Sequence, residues 1–559
     1  MGQTGSTQPN WFEEVRRLTL ALVRIRSVSP GEGEIAVAHE VLRLLHDSEL
    51  EDTYTASGLD LIEHDALDRQ NAYAFLRGQS ARTIVLLGHI DTVGMQDYGI
   101  LEPWASEPEA LAERIDALAT LAPELRADLS DHPGDWMFGR GVVDMKSGVA
   151  ANIAVMRHYA KRARAGTPPP LSLVFLATPD EENESAGVLQ AVRFLLRLRA
   201  EYGLEFMGAI NTDYITSLYP GDPNWYVYTG TIGKLLPSFL VIGRESHVGD
   251  PFDGVDANLL AAELITDLSM SPDLCDTVRG QVAPPPVTLH ATDLKDTYNV
   301  QLPFAAYFYL NVLTFTSGPA DLLARLRVRV EAALERVLAK IDESERHWLA
   351  MAHEDERAKR VEPRTGIVLS YEELYERAVH VLGKQQVTAA LDDEWERWPA
   401  ALDKRERSLH LTHRLWQLSG KRGPAVIVYY SPPYYPSIAA TPCALHEAVT
   451  KVIAAHPREH LALREYFPFL SDMSYLRLDA AADTPALAAN MPVWRSPDAP
   501  ARPGSYSLPL EAISELDMPV VDIGPYGRGA HQRGERLMMS RSFGMLPQLV
   551  YEVIEQLRG

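Results

Sequence analysis

Five short segments of this chain place acids or histidines directly after an apolar run. They are GHIDTVG (His89, Asp91), GRGVVDMKSG (Asp144), ATPDEENESAG (Asp180, Glu181, Glu182), INTDYI (Asp213) and GPYGRGAHQRGE (His531, Glu535). Taken singly, each has an ordinary explanation: a hydrogen-bonded strand-end histidine, a helix-capping aspartate, a solvated acidic loop. Their shared context is more telling. In open α/β sheets the groups that hold ligands gather beyond the carboxyl ends of the strands, so segments that all end this way can converge on one site. Carboxylates brought together without partners repel one another and are costly to desolvate. Divalent cations resolve that conflict. Histidine and carboxylate donors, with no thiolate among them, suit zinc in a hydrolytic site, and cobalt or manganese are compatible.

The elements that must position these groups can be read from the same sequence. Thr83–Leu87 (TIVLL), Leu171–Ala177 (LSLVFLA) and Gly208–Asp213 (GAINTD) are short, nearly continuous apolar runs separated by helical stretches. That texture predicts a mostly parallel sheet covered by helices on both faces. One covering helix follows Asp144, with Val149, Ile153 and Met156 at helical spacing, and ends in KRARAG before Pro168–Pro170. From about Gly230 the order changes. A strand (Ser238–Ile242), the helix VDANLLAAELITDL, strands at Val287–Thr292 and Ala305–Phe315, a helix from about Pro319 to Ile341 and a strand at Ala425–Tyr430 give the βαββαβ order of a small, ferredoxin-like α+β domain. The interruption at about 344–423 reads as helical, with Ser370 and Glu373 matching a capping box and Trp395, Trp398 and Trp416 implying burial. After Thr441 the first pattern resumes: a helix from Cys443, an apolar run Pro519–Ile523 and a closing helix in MLPQLVYEVIEQL. The expected architecture is one α/β domain, residues 1–230 and 437–559, interrupted by a second domain at 231–436.

Composition narrows the partners. The 559 residues hold 53 Lys+Arg and 76 Asp+Glu, a net charge of −23, which argues against nucleic acid or an anionic membrane as a main partner. The hydrophobic fraction of 46% and charged fraction of 23% are those of a globular protein rather than a disordered or fibrous one. The two cysteines, Cys275 and Cys443, supply neither a disulfide scaffold nor a thiolate metal site and point to a reducing, cytoplasmic setting. The N-terminal stretch to Ser27 reads as an amphipathic helix rather than a secretion signal, and no run approaches the ~18 apolar residues of a membrane span.

HIDTVG, GRGVVDMKSG, TPDEE, a strand-end Asp and a late GAH, taken in that order, resemble the co-catalytic di-zinc exopeptidase and amidohydrolase family. That family includes glutamate carboxypeptidase, aminoacylase, acetylornithine deacetylase and succinyl-diaminopimelate desuccinylase. The resemblance extends to SVSPGEGE, to GRESHVGDPFDGVDAN and to FLSDMSYL around Asp472. Length and helical insertion look most like the arginine-utilisation, RocB-like branch. The resemblance implies two divalent metal ions, with Asp144 bridging both, His89 and Asp213 completing one, and Glu182 and His531 the other. It implies hydrolysis of an amide bond by a di-metal-activated water, with Glu181 as general base. Successive residues of an extended segment point apart, so Glu181 and Glu182 can divide into base and ligand. Asp91 is placed to accept the His89 imidazole N–H and fix its tautomer. His247, in ESHVG of the second or lid domain, resembles a lid histidine that stabilises the oxyanion, and Asn299 in TYNVQLP resembles a substrate contact. Many members carry an Arg after that Asn to grip a substrate carboxylate. Asn311 stands near that place here, so either another Arg substitutes, Arg244 or Arg528, or the substrate end is not a free carboxylate. The expected substrate is an N-acyl amino acid, a dipeptide or a related derivative. The alternatives are an aminopeptidase or carboxypeptidase acting on short peptides, or a binding protein that retains the fold. The resemblance also implies a homodimer formed through the lid domain.

Overall fold

The computed structural model describes residues 10–47, 49–359, 361–479, 482–496, 499 and 502–558, so the first nine residues of the N-terminal stretch lie outside the described residues. By its contacts the chain forms two units: residues 1–231, 438–478 and 509–559 make the first, and residues 232–437 and 479–508 the second.

The first unit is built on an eight-stranded sheet. Its spatial order is Ala56–Leu61, Gln70–Leu76, Ser172–Thr178, Arg82–His89, Glu205–Asn211, Val520–Asp522, Trp225–Tyr228, Leu461–Arg464. The four central strands, from Ser172–Thr178 to Val520–Asp522, are mutually parallel. The first two strands run antiparallel to their neighbours. The central strands are mostly apolar along both faces, and every residue of Ser172–Thr178 is buried. Helices Trp11–Val23, Lys146–Arg164 and Leu546–Gln556 pack on one another. Val149, Ile153 and Met156 are fully buried, as their spacing predicts. The parallel register pairs His89 with Thr178 and Leu87 with Asn211, so the residues following these strands, including Asp180–Glu182 and Asp213, emerge at the same end of the sheet. A small antiparallel sheet of Trp136–Phe138, Arg536–Met538 and Gly527–Arg528 ties the segment before Asp144 to the one around His531.

The second unit has its own six-stranded sheet. Val287–Asp293, Ala305–Thr314, Pro237–Ile242, Ala425–Tyr430 and Ile367–Ser370 lie in that order, and Gly233–Leu235 pairs with Ala305–Thr314. The first four strands follow the βαββαβ reading, with Ala257–Leu268 and Pro319–Met351 as its helices. Three features differ from expectation. The long helix runs on to Met351, because DESERHWLA contains no breaker to stop it. The insertion is not all helical: Ile367–Ser370 adds an edge strand parallel to Ala425–Tyr430, too short to show periodicity. The capping box at Ser370 and Glu373 then opens the helix Tyr371–Leu382. Finally, residues 479–508 belong with the second unit, whereas the sequence reading kept 437–559 as one catalytic segment. Trp395 explains their place. Its ring lies 4.4 Å beneath the Arg502 guanidinium and its indole N–H donates to the Pro503 carbonyl, while Arg502 pairs with Asp392 and Glu396.

Candidate metal centre

Asp144 is the hub of the site. Its Oδ1 lies 2.9 Å from His89 Nε2 and its Oδ2 lies 3.1 Å from His531 Nε2, so each carboxylate oxygen faces a different imidazole. His531 Nε2 also lies 3.0 Å from Glu182 Oε1. His89, Asp144 and Glu182 each offer a donor atom within 4.8 Å of the others, a grouping able to hold a metal ion. The strand Arg82–His89 delivers His89 at its last residue, and the loop entering helix Lys146–Arg164 delivers Asp144.

Asp91 does more than face the imidazole. His89 Nδ1 lies 3.2 Å from the Asp91 carbonyl oxygen and 3.5 Å from its carboxylate, a second-sphere contact that orients the ring. The same carboxylate accepts the backbone N–H of Glu181 on one oxygen, at 3.2 Å, and of Glu182 on the other, at 3.0 Å. Glu181 Oε2 stands 3.9 Å from His89 Nε2. Asp213 is buried, and its amide donates to Asp522 at 2.9 Å. Gly524 is required beside it, since a Cβ there would come 1.4 Å from the Asp213 carbonyl oxygen.

The electrostatics follow from burial and partners. Burial pushes the Glu181 carboxyl well above the usual carboxylate range, with Glu182, Asp213 and Asp472 adding to the rise against the opposing pull of His89. Burial and the nearby Asp144 charge raise Asp213 to about 7. Asp144 goes the other way: burial would raise it, but the hydrogen bonds to His531 and His89 hold it well below its ordinary value. Burial would lower His531, but its bonds to Asp144 and Glu182 raise it to about 11. Among the described residues no lysine or arginine forms an ion pair with Asp144, Glu182 or Asp213. This convergence of acids with imidazoles and no fixed cation is the donor chemistry that divalent ions satisfy.

Of the residues singled out from the sequence, His89, Asp91, Asp144, Glu181, Glu182 and His531 are drawn together by these contacts, and Asp213 lies within their electrostatic reach. His247 and Asn299 are neighbours in the second unit. His247 bridges to Gln301, whose amide donates to Asn299 Oδ1 at 3.2 Å, and both residues are exposed. Arg528 already has an acidic partner within the chain. Its guanidinium is held by the buried Asp128 at 2.5 Å, and Asp128 also pairs with Arg536. The motif could not reveal that partner, because Asp128 lies on Leu125–Asp131, far away in sequence. Lys146 serves as a tether, donating to the Leu22 and Ile25 carbonyls at the end of the first helix. Sequence reasoning gave no role to Glu535 or Asp472. Glu535 accepts the Val143 amide and pairs with Arg140 at 2.8 Å, steadying the turn that carries Asp144. Asp472 is buried against the Thr178 hydroxyl at 2.7 Å, and burial raises its carboxyl to about 7.

A sheet ended by such a cluster defines a metallohydrolase, and comparison with known proteins agrees. The model of the Peptidase family M20/M25/M40 matches residues 85–491, and the chain belongs to that family. It is therefore an enzyme of the metallopeptidase and amidohydrolase type that acts on amide bonds of peptides or amino-acid derivatives. Among its relatives it is 31% identical over 558 residues to the uncharacterized protein YqjN of Bacillus subtilis, covering 98% of this chain and 97% of that one. It is 29% identical over 565 residues to Protein RocB of the same organism, covering 99% and 96%. The crystal structure of aminopeptidase PepT from Bacillus cereus superimposes with a TM-score of 0.51 at 12% identity, covering 98% of this chain and 99% of that chain, a likeness of fold. No helix among the described residues is long and apolar enough to cross a membrane.

Proposed function

We propose that this protein hydrolyses the amide bond of a small N-acyl amino acid, a dipeptide or a related amino-acid derivative, with two divalent ions at the Asp144 cluster and Glu181 as general base. The observation that carries this reading is the pair of imidazoles on opposite oxygens of Asp144, at 2.9 and 3.1 Å. In it, Asp144 would serve both ions, His89 and Asp213 would complete one, and Glu182 and His531 would complete the other. Nitrogen and oxygen donors without thiolate favour zinc, with cobalt and manganese compatible. When bound, such ions acidify a water and polarise the scissile carbonyl. Glu181 takes the proton of the attacking water and passes it to the leaving nitrogen. Asp91 keeps the Glu181 and Glu182 amides and the His89 ring in register. His247 is assigned to the oxyanion and Asn299 to the substrate on their sequence matches. A homodimer through the second unit is part of the same proposal, supported by the exposed edge strand Val287–Asp293 with Val287 and Leu289 open to solvent.

The test is a panel of N-acylated amino acids and dipeptides, including arginine-, ornithine- and citrulline-related compounds, offered to stripped protein resupplied with zinc, cobalt or manganese. Turnover that needs close to two ions per chain supports the reading. Full activity in stripped protein sinks it. Substrates with a blocked terminus separate N-acyl hydrolysis from exopeptidase action, and sedimentation equilibrium reads the oligomer.

A further inference from the structure

The segment Pro179–Ser185 carries both Glu181 and Glu182, and it is gripped from two sides. On one side Asp91 accepts their amides. On the other stands Arg69, just before the strand Gln70–Leu76, with a side chain only 6% exposed. Its guanidinium reaches Asp180 Oδ1 at 2.5 Å, Asp65 Oδ1 at 2.7 Å and Glu34 Oε2 at 3.2 Å. Glu34 closes the ring by accepting the Asp180 amide at 2.8 Å and the Gly31 amide at 2.7 Å. Asp180 also accepts from the Asn183 side chain and from the Ala186 amide, both at 3.1 Å. It sits at φ +72°, a left-handed conformation that a residue with a Cβ adopts only when its surroundings hold it there.

We propose that Arg69 is a positioning residue for hydrolysis: by pinning Asp180 from below while Asp91 holds the next two amides, it sets the directions in which Glu181 and Glu182 part, one toward His89 and one toward His531. This rests on the reading of Glu181 as base and Glu182 as ligand. Arg69 makes no contact with either side chain, so its influence passes through Asp180 and Glu34. The buried guanidinium faces three carboxylates, and without it the left-handed turn loses the charge that holds Asp180 in place.

The experiment uses the full-length protein with its metals and the variants Arg69→Met, Arg69→Lys, Asp180→Asn and the Arg69→Met/Asp180→Asn pair. Hydrogen exchange is read at the Glu181 and Glu182 amides, and kcat and KM are measured on the best substrate of the panel. In Arg69→Met those two amides are expected to exchange at least ~10-fold faster while the strand Ser172–Thr178 exchanges as in wild type. The expected kinetic change is a ~100-fold fall in kcat with KM within ~3-fold and metal content unchanged. Arg69→Lys recovers part of the loss, and the double variant loses no more than the larger single. If Arg69→Met does not fold, Arg69→Lys carries the same comparison. Unchanged exchange at Glu181 and Glu182 overturns the proposal whether or not a substrate has been found. So does faster exchange across the whole sheet, which marks a general structural role, and so does a mobile loop with undiminished kcat. A wild-type protein that cleaves nothing on the panel defeats the proposed substrate class instead, and the exchange data alone then decide the clamp.

Discussion

Two sets of buried acids in this chain differ in who supplies the positive charge. In the second unit, Asp342 on helix Pro319–Met351 is 4% exposed and paired with Arg364, which also bonds Glu345 and the Phe252 carbonyl. Asp128 in the first unit is likewise held by Arg528 and Arg536. Guanidinium stays charged at any relevant pH and offers a rigid fork of donors. Such acids are struts, permanently neutralised from within the chain. Asp144 and Asp213 are equally hidden and Glu182 is partly so, yet their partners are imidazoles and backbone amides. Imidazole, unlike guanidinium, can give up its proton and serve as a metal ligand. The difference teaches that the acids whose positive partner is replaceable are those arranged for chemistry.

The strongest way to break that contrast is Glu181→Gln. It keeps shape and hydrogen-bonding capacity while removing the base, so kcat should fall by ~10³-fold or more, with metal content by plasma emission unchanged. A variant that loses its metals as well would make Glu181 a ligand and erase the division between it and Glu182. Next in size is Arg364→Met. Leaving Asp342 buried without its partner should cost about 3–5 kcal/mol of stability in denaturant titrations and leave metal stoichiometry untouched. A variant as stable as wild type would show that the strut acids are no better neutralised than the site acids. Third, zinc at about 100 times its dissociation constant should stabilise the protein by about 2.7 kcal/mol for each ion bound. The same addition should do far less for Asp144→Asn, as read by the thermal midpoint.

How far these groups could be read from the sequence depended on distance along the chain. His89, Asp144, Glu181 and Glu182 each follow a local pattern, an apolar run and then a turn, and local patterns survive in sequence. The βαββαβ core of the second unit was legible for the same reason. The Arg528–Asp128 pair was not legible because Asp128 is a tertiary neighbour, and no spacing rule connects them. The Arg69–Glu34–Asp180 ring escaped notice likewise, since its members come from three separate elements. The return of residues 479–508 to the second unit hangs on Arg502 stacking over Trp395, a contact without sequence periodicity. The short edge strand Ile367–Ser370 lies below the length at which alternation can be recognised.

A half-buried imidazole away from the site sharpens the contrast from the opposite side. His158, on helix Lys146–Arg164, packs 5.3 Å from the rings of both Trp11 and Tyr551. Burial, with Arg162 and Lys161 nearby and only partly offset by Glu555, pushes it down to about 4, whereas His531 is pushed up by the carboxylates it touches. Between pH 6.5 and 4 the unfolded chain therefore takes a proton at His158 that the folded chain refuses. Stability from this group is complete above its unfolded value, falls as pH drops through that window and levels off below about 4. His158→Phe retains the aromatic packing and removes the proton site. Its stability, measured by urea unfolding from pH 7 to 4, should decline less steeply than that of wild type, the smallest effect of the four. Parallel curves would mean that His158 is protonated inside the fold, and that Glu555 outweighs partial burial and the neighbouring cations.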